Sequence, residues 1–83
     1  MLHELKIKKE YFEEVKEEIK TFELRKDDRN YKTNDLLILD EIDEEGRYTG
    51  RRVERFISYI LRDCEEYGLK PGYCILALSV LPV

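Results

Sequence analysis

The sequence predicts an α+β domain that is mostly β: a small curled sheet or barrel with one or two helices packed over it. Three observations lead there. The chain has 83 residues, room for one small core, so residues 1–83 are read as a single domain. Most of its apolar residues sit in strand-length stretches, several of them apolar on both faces and therefore needing cover on both. One stretch only, Lys9 to Ile19, carries an apolar stripe at helical spacing. A sheet that curls, with a helix laid on it, supplies that cover.

The elements follow in order. From His3 to Lys8 the residues alternate, with His3, Leu5 and Ile7 on one face and Glu4, Lys6 and Lys8 on the other, which makes a short strand. In the helical stretch Phe12, Val15 and Ile19 form the stripe, with Tyr11 beside it and Glu10, Glu13, Glu14, Glu17 and Glu18 toward water. Its early acids and late Lys20 suit the helix dipole. The period returns to two at Thr21, where Phe22 and Leu24 share one face and Glu23 and Arg25 the other. Lys26 to Asp35 is a polar loop, Leu36 to Leu39 an apolar strand, and Asp43-Glu44-Glu45-Gly46 a turn with glycine free to take positive φ. Tyr48 to Leu61 is the return strand. Arg62 to Gly72 is a connection closed by Pro71-Gly72, and the last strand runs from Tyr73 to Val80.

Charge narrows the function classes. Charged residues make up 41% of the chain and the net charge is −4, so a broadly cationic nucleic-acid binder is excluded and any phosphate contact must be local. Residues 1–46 carry 9 basic and 15 acidic side chains, whereas residues 47–83 carry 6 and 4. No apolar run approaches the roughly 20 residues of a membrane span, and the charged N-terminus is no signal peptide. With His3 the sole histidine and Cys64 and Cys74 in no zinc spacing, no metal site and no cofactor are expected. The chain reads as soluble, reduced and cytoplasmic, without a membrane partner.

Lys20-Thr21-Phe22-Glu23-Leu24-Arg25 is the most informative stretch. It brings three ionisable groups to one sheet edge with an apolar face behind them. Pattern alone favours a solvated strand face with a Glu–Arg pair, worth about 0–1 kcal/mol. Lys20-x-x-Glu23-x-Arg25 also resembles the core of the GxKxxExR signature of ASCH (activating signal cointegrator homology) domains, of the PUA-like superfold. The likeness extends to the opening strand at His3-Glu4-Leu5-Lys6-Ile7, the first helix at Tyr11-Phe12, the strand start at Asp35-Leu36-Leu37-Ile38-Leu39 and the closing strand at Gly72-Tyr73-Cys74-Ile75-Leu76-Ala77-Leu78. Two family glycines are replaced, by Glu18 and by Asn34. Asn tolerates the left-handed conformation, whereas Glu18 implies ordinary helical geometry at its turn.

The resemblance implies a PUA-like β-barrel with a cleft lined by Lys20, Glu23 and Arg25, and a single-stranded RNA or a nucleotide derivative as partner. Arg25 would fork onto a phosphate or stack on a base, Lys20 would add a point charge, and Glu23 would accept from a base edge or a 2′-hydroxyl or, the preferred role, hold Arg25 in place. Arg29 and Tyr31, in the loop with Lys26 and Lys32, join the candidates because a basic loop with an aromatic suits single-stranded RNA; the alternative is Tyr31 folded onto the barrel. His3, inward near the barrel mouth, is a further cleft candidate, though a structural role is the commoner one. Arg51 and Arg55 share a face of their strand, with Arg52 opposite. Cys74 reads as inert core and Cys64 as an exposed thiol. Two other functions compete: a small amidohydrolase on modified nucleosides, with Lys20 as base beside Glu23, and a protein-interaction domain using the acidic helix.

Overall fold

The computed structural model describes residues 1–83, and they form one five-stranded mixed sheet with a single α-helix. The elements run β1 (Leu2–Lys8), α1 (Lys9–Lys16), β2 (Phe22–Lys26), β3 (Leu36–Ile42), β4 (Tyr48–Leu61) and β5 (Tyr73–Ser79), with a 3-10 turn at Glu65–Tyr67 before the last strand. Strand order is β1-β3-β4-β5-β2. β1 pairs with β3 in parallel, and every other pairing is antiparallel. The sheet curls until its edge strands β1 and β2 approach one another. They are joined by side chains rather than by a backbone ladder, so the architecture is a half-barrel with one open seam.

Alternation decides what fills it. Leu5 and Ile7 of β1, Leu37 and Leu39 of β3, Ile57 of β4, and Cys74 and Leu76 of β5 point inward and form one core with Phe12 and Val15 of α1 and Tyr31. Each fully buried Leu or Phe contributes roughly 1.5–3 kcal/mol. A helix of two turns is not stable by itself. α1 is held by its buried stripe and by two arginines of β4. Arg55 donates from Nη2 to the Val15 and Lys16 carbonyls (3.0 and 3.2 Å), and Arg51 lies over the Phe12 ring (4.6 Å) while paired with Glu13. Arg52 lies on the opposite face with Asp40 (2.9 Å), as strand alternation requires.

Three expectations are corrected. The helix ends at Lys16, not Ile19, and Ile19 is exposed rather than part of the buried stripe. The reason is Glu18, which adopts φ 60° instead of helical geometry. Its N–H bonds to the Val15 carbonyl (3.1 Å) and that of Ile19 to the Glu14 carbonyl (2.9 Å), a Schellman closure with a glutamate in the position that glycine usually fills. Second, β2 is inverted relative to a solvated polar face: Glu23 is buried, while Phe22 and Leu24 face water. Third, the outer side of the apolar strands is covered only in part: Ile38 of β3 is buried on it, whereas Tyr59 and Leu61 at the end of β4 and Phe22 and Leu24 of β2 stay exposed.

Candidate functional site

The inversion of β2 builds the site. Glu23 lies opposite Leu76 and Arg25 opposite Cys74, so both project into the half-barrel beside the seam. Glu23 takes a cation on each oxygen. Lys20 Nζ donates to Oε1 (2.6 Å) and also to the Phe22 carbonyl (2.7 Å), while Arg25 Nε donates to Oε2 (2.9 Å). The Lys20 ammonium also sits against the Tyr11 and Phe22 rings, 5.2 and 4.9 Å from their centroids. Arg25 then spans the seam, donating from Nη2 to the Lys6 carbonyl (2.7 Å), and Arg29 donates from Nη1 to the Glu4 carbonyl (3.1 Å). Lys20, Glu23, Arg25 and Arg29 thus form one row along the seam.

Outside the row is a cleft of about 390 Å³ lined by Glu4, Leu5, Lys6, Arg25, Arg29, Asp40 and Tyr48. Its two acids are already engaged, since Arg52 pairs with both Asp40 (2.9 Å) and Glu4 (3.5 Å). Arg25 is paired with Glu23, so Lys6 and Arg29, which have no carboxylate partner, supply the excess positive charge facing the opening. The exposed Tyr48 ring lies 5.7 Å from Lys6 Nζ and forms a flat wall. Lys20 opens elsewhere, onto a smaller pocket of about 170 Å³ with Thr21, Arg55 and Ser79. The largest groove, about 780 Å³ between α1 and the β3–β4 turn, has five acids among its lining residues and is unsuited to an anion.

His3 and Tyr31 do not join the row. Both are buried, their rings meet edge to face at 4.8 Å, and they belong to a cluster around Asp35. His3 donates from Nε2 to Asp35 Oδ2 (2.8 Å), the Lys32 N–H donates to the same oxygen (3.0 Å) and the terminal amine to Oδ1 (2.9 Å). Burial works against a charged Asp35, but these bonds outweigh it and hold its pKa down to about 2. Tyr31 is pushed up by burial against the pull of Arg29 and Arg25, and its ring offers no open face for a base to stack on. Cys74 is buried with its pKa raised, chiefly by burial; Cys64 is partly exposed, and both are free thiols. No group of three or more His, Cys, Asp or Glu is placed to hold a metal ion. No helix is long and apolar enough to cross a membrane.

Sequence reasoning reached Lys20, Glu23, Arg25 and Arg29 and missed Lys6 and Tyr48. Lys6 had only its outward position in β1 as a signal. Tyr48 reaches the cleft because β3 turns back on β4 and pairs Tyr48 with Ile42, two strands from Lys6.

A curled, mostly β domain with a cation row along its one seam is the class defined by these observations. Residues 2–78 match the family described as "Domain of unknown function (DUF3850)", and the chain belongs to that family. It is also similar to the Escherichia phage P2 protein described as "Uncharacterized 12.9 kDa protein in GpA 3'region", with 47% identity over 57 residues. The match covers 69% of this chain and 51% of that protein, so it spans about half the length of the relative.

Proposed function

We propose that the chain binds a nucleotide-like anion, in the form of a short stretch of single-stranded RNA or a nucleotide derivative, in the cleft along the β1–β2 seam. The observation that carries this is the inverted strand. A five-residue strand that turns Phe22 and Leu24 to water in order to bury Glu23 gives up apolar burial, and what it gains is two ordered cations. Glu23 neutralises one of them and leaves the row with excess positive charge. Arg25 and Arg29 keep N–H groups for phosphate oxygens beyond those spent on the β1 carbonyls, Lys6 adds a third cation, and Tyr48 offers an exposed ring beside Lys6. The cleft of an ASCH-like, PUA-like barrel, to which the Lys20-x-x-Glu23-x-Arg25 motif is similar, is consistent with this use. The hydrolase reading is weaker, because Lys20 acts as a hydrogen-bond donor to Glu23 and to a carbonyl and opens on the smaller pocket.

Fluorescence anisotropy with short single-stranded RNAs and mononucleotides at about 50 mM salt tests the proposal, since phosphate contacts register there. Arg29→Ala and Lys6→Ala should each weaken binding and reduce the slope of log affinity against log salt by about 1. Tyr48→Ala should weaken it by about fivefold or more, as loss of a stacking partner does. No binding by the unmodified chain to any of these ligands rejects the proposal.

A further inference from the structure

The outer face of β4, β5 and β2 carries two apolar rows that stay largely open to water, flanked by Leu69 and Lys70 beside Leu24 and Tyr73 and by Lys20 at the Phe22 ring. Cross-strand register sets Tyr59, Ala77 and Phe22 in one row and Leu61, Ile75 and Leu24 in the next, with Tyr73 and Lys26 beyond them. Tyr59 is 63% exposed, Leu24 57%, Phe22 48% and Leu61 40%. These four alone leave on the order of 400 Å² to water, the size at which an exposed patch marks a contact site. This face lies on the side of β2 opposite Glu23 and Arg25 and meets the row only where Lys20 reaches the Phe22 ring.

We infer that this face pairs with a second copy of the chain in a two-fold, sheet-on-sheet dimer. The order of outward residues along β5 is the reason: Tyr73 is large, Ile75 intermediate and Ala77 small. A two-fold axis across the strands at Ile75 lays the Leu61–Ile75–Leu24 row on its own copy. It also seats Tyr73 of each chain in the notch over Ala77 of the other. The surface complements itself in the order of its residue sizes. Together with the flanks of Tyr73 and Lys26 the face approaches the roughly 600 Å² per partner at the small end of specific interfaces. Two aligned sheets pack in this manner about 10 Å apart.

Sedimentation equilibrium or light scattering on the full chain, up to about 100 μM, tests the inference. The expected result is twice the monomer mass, with Leu24→Glu weakening the dimer by at least about tenfold, as substitution at an interface centre does. Glu44→Lys, exposed in the β3–β4 turn at the other end of β4 from Tyr59 and Leu61, should leave the dimer unchanged. Circular dichroism reports whether Leu24→Glu is folded, and Tyr59→Glu carries the same test if it is not. A monomer throughout the range overturns the inference and leaves the face to another partner, such as single-stranded RNA or an unrelated chain. A dimer that survives both substitutions overturns it as well, because the contact then lies elsewhere.

Discussion

Glu23 and Asp35 show how this small chain can bury a carboxylate. Each has cations or N–H donors on both oxygens, and no buried side-chain polar atom in the molecule lacks a partner. Removing such a carboxylate strands its partners, which costs more than the pair itself is worth. Glu23→Ala is therefore expected to destabilise the fold by about 3 kcal/mol, at the low end for a broken buried pair because Lys20 and Arg25 keep some access to water; a shift in urea midpoint measures it. Asp35 gives a pH signature. Its pKa is lower in the fold, about 2 against an ordinary 3.8, so its contribution is complete above the ordinary value and is lost as the pH falls from there through about 2. Asp35→Asn should cost about 1–3 kcal/mol at pH 6, and the gap between wild type and variant should narrow between pH 4 and pH 2. A gap of constant size would mean that Asp35 acts by packing alone.

At the scale of elements, the parts legible in the sequence were those governed by period. The span of β4 was readable from Tyr48 to Leu61, and the alternation of β1 placed His3, Leu5 and Ile7 inward. Period says which residues share a face, however, and not which face is inside. For β2 that choice is made by partners distant in sequence, Lys20 at one end and the Lys6 carbonyl across the seam, so the burial of Glu23 was not readable from the strand itself. The end of α1 was missed for a related reason. The apolar stripe continues to Ile19, but the Schellman closure turns the chain first and forces Glu18 left-handed. A left-handed non-glycine residue is strained by roughly 1–2 kcal/mol. Glu18→Gly should therefore raise stability by about 0.5–1 kcal/mol, the remainder being lost to greater freedom of the unfolded chain. Thermal unfolding of the two proteins compares them directly, and a variant of lower melting temperature would contradict the strain reading.

For the whole molecule, strand order was the least accessible feature. Neighbours in the sheet are not neighbours in the chain: β2 crosses to the far edge to pair with β5, and β1 lies beside β3 in parallel. This order divides the surface by charge. The acids of α1 and the β3–β4 turn gather around the largest groove, while the cations of β1, β2 and the following loop line the seam. The net charge of −4 therefore describes neither region.

The seam has one further consequence. An edge strand presents carbonyl and N–H groups that invite a strand from another molecule, and repeated addition of this kind leads to fibres. On β1 the Glu4 and Lys6 carbonyls are already taken by the guanidinium groups of Arg29 and Arg25. The arginines that give the cleft its charge also act as stoppers against polymerisation, keeping a chain with an open barrel from growing along its own edge.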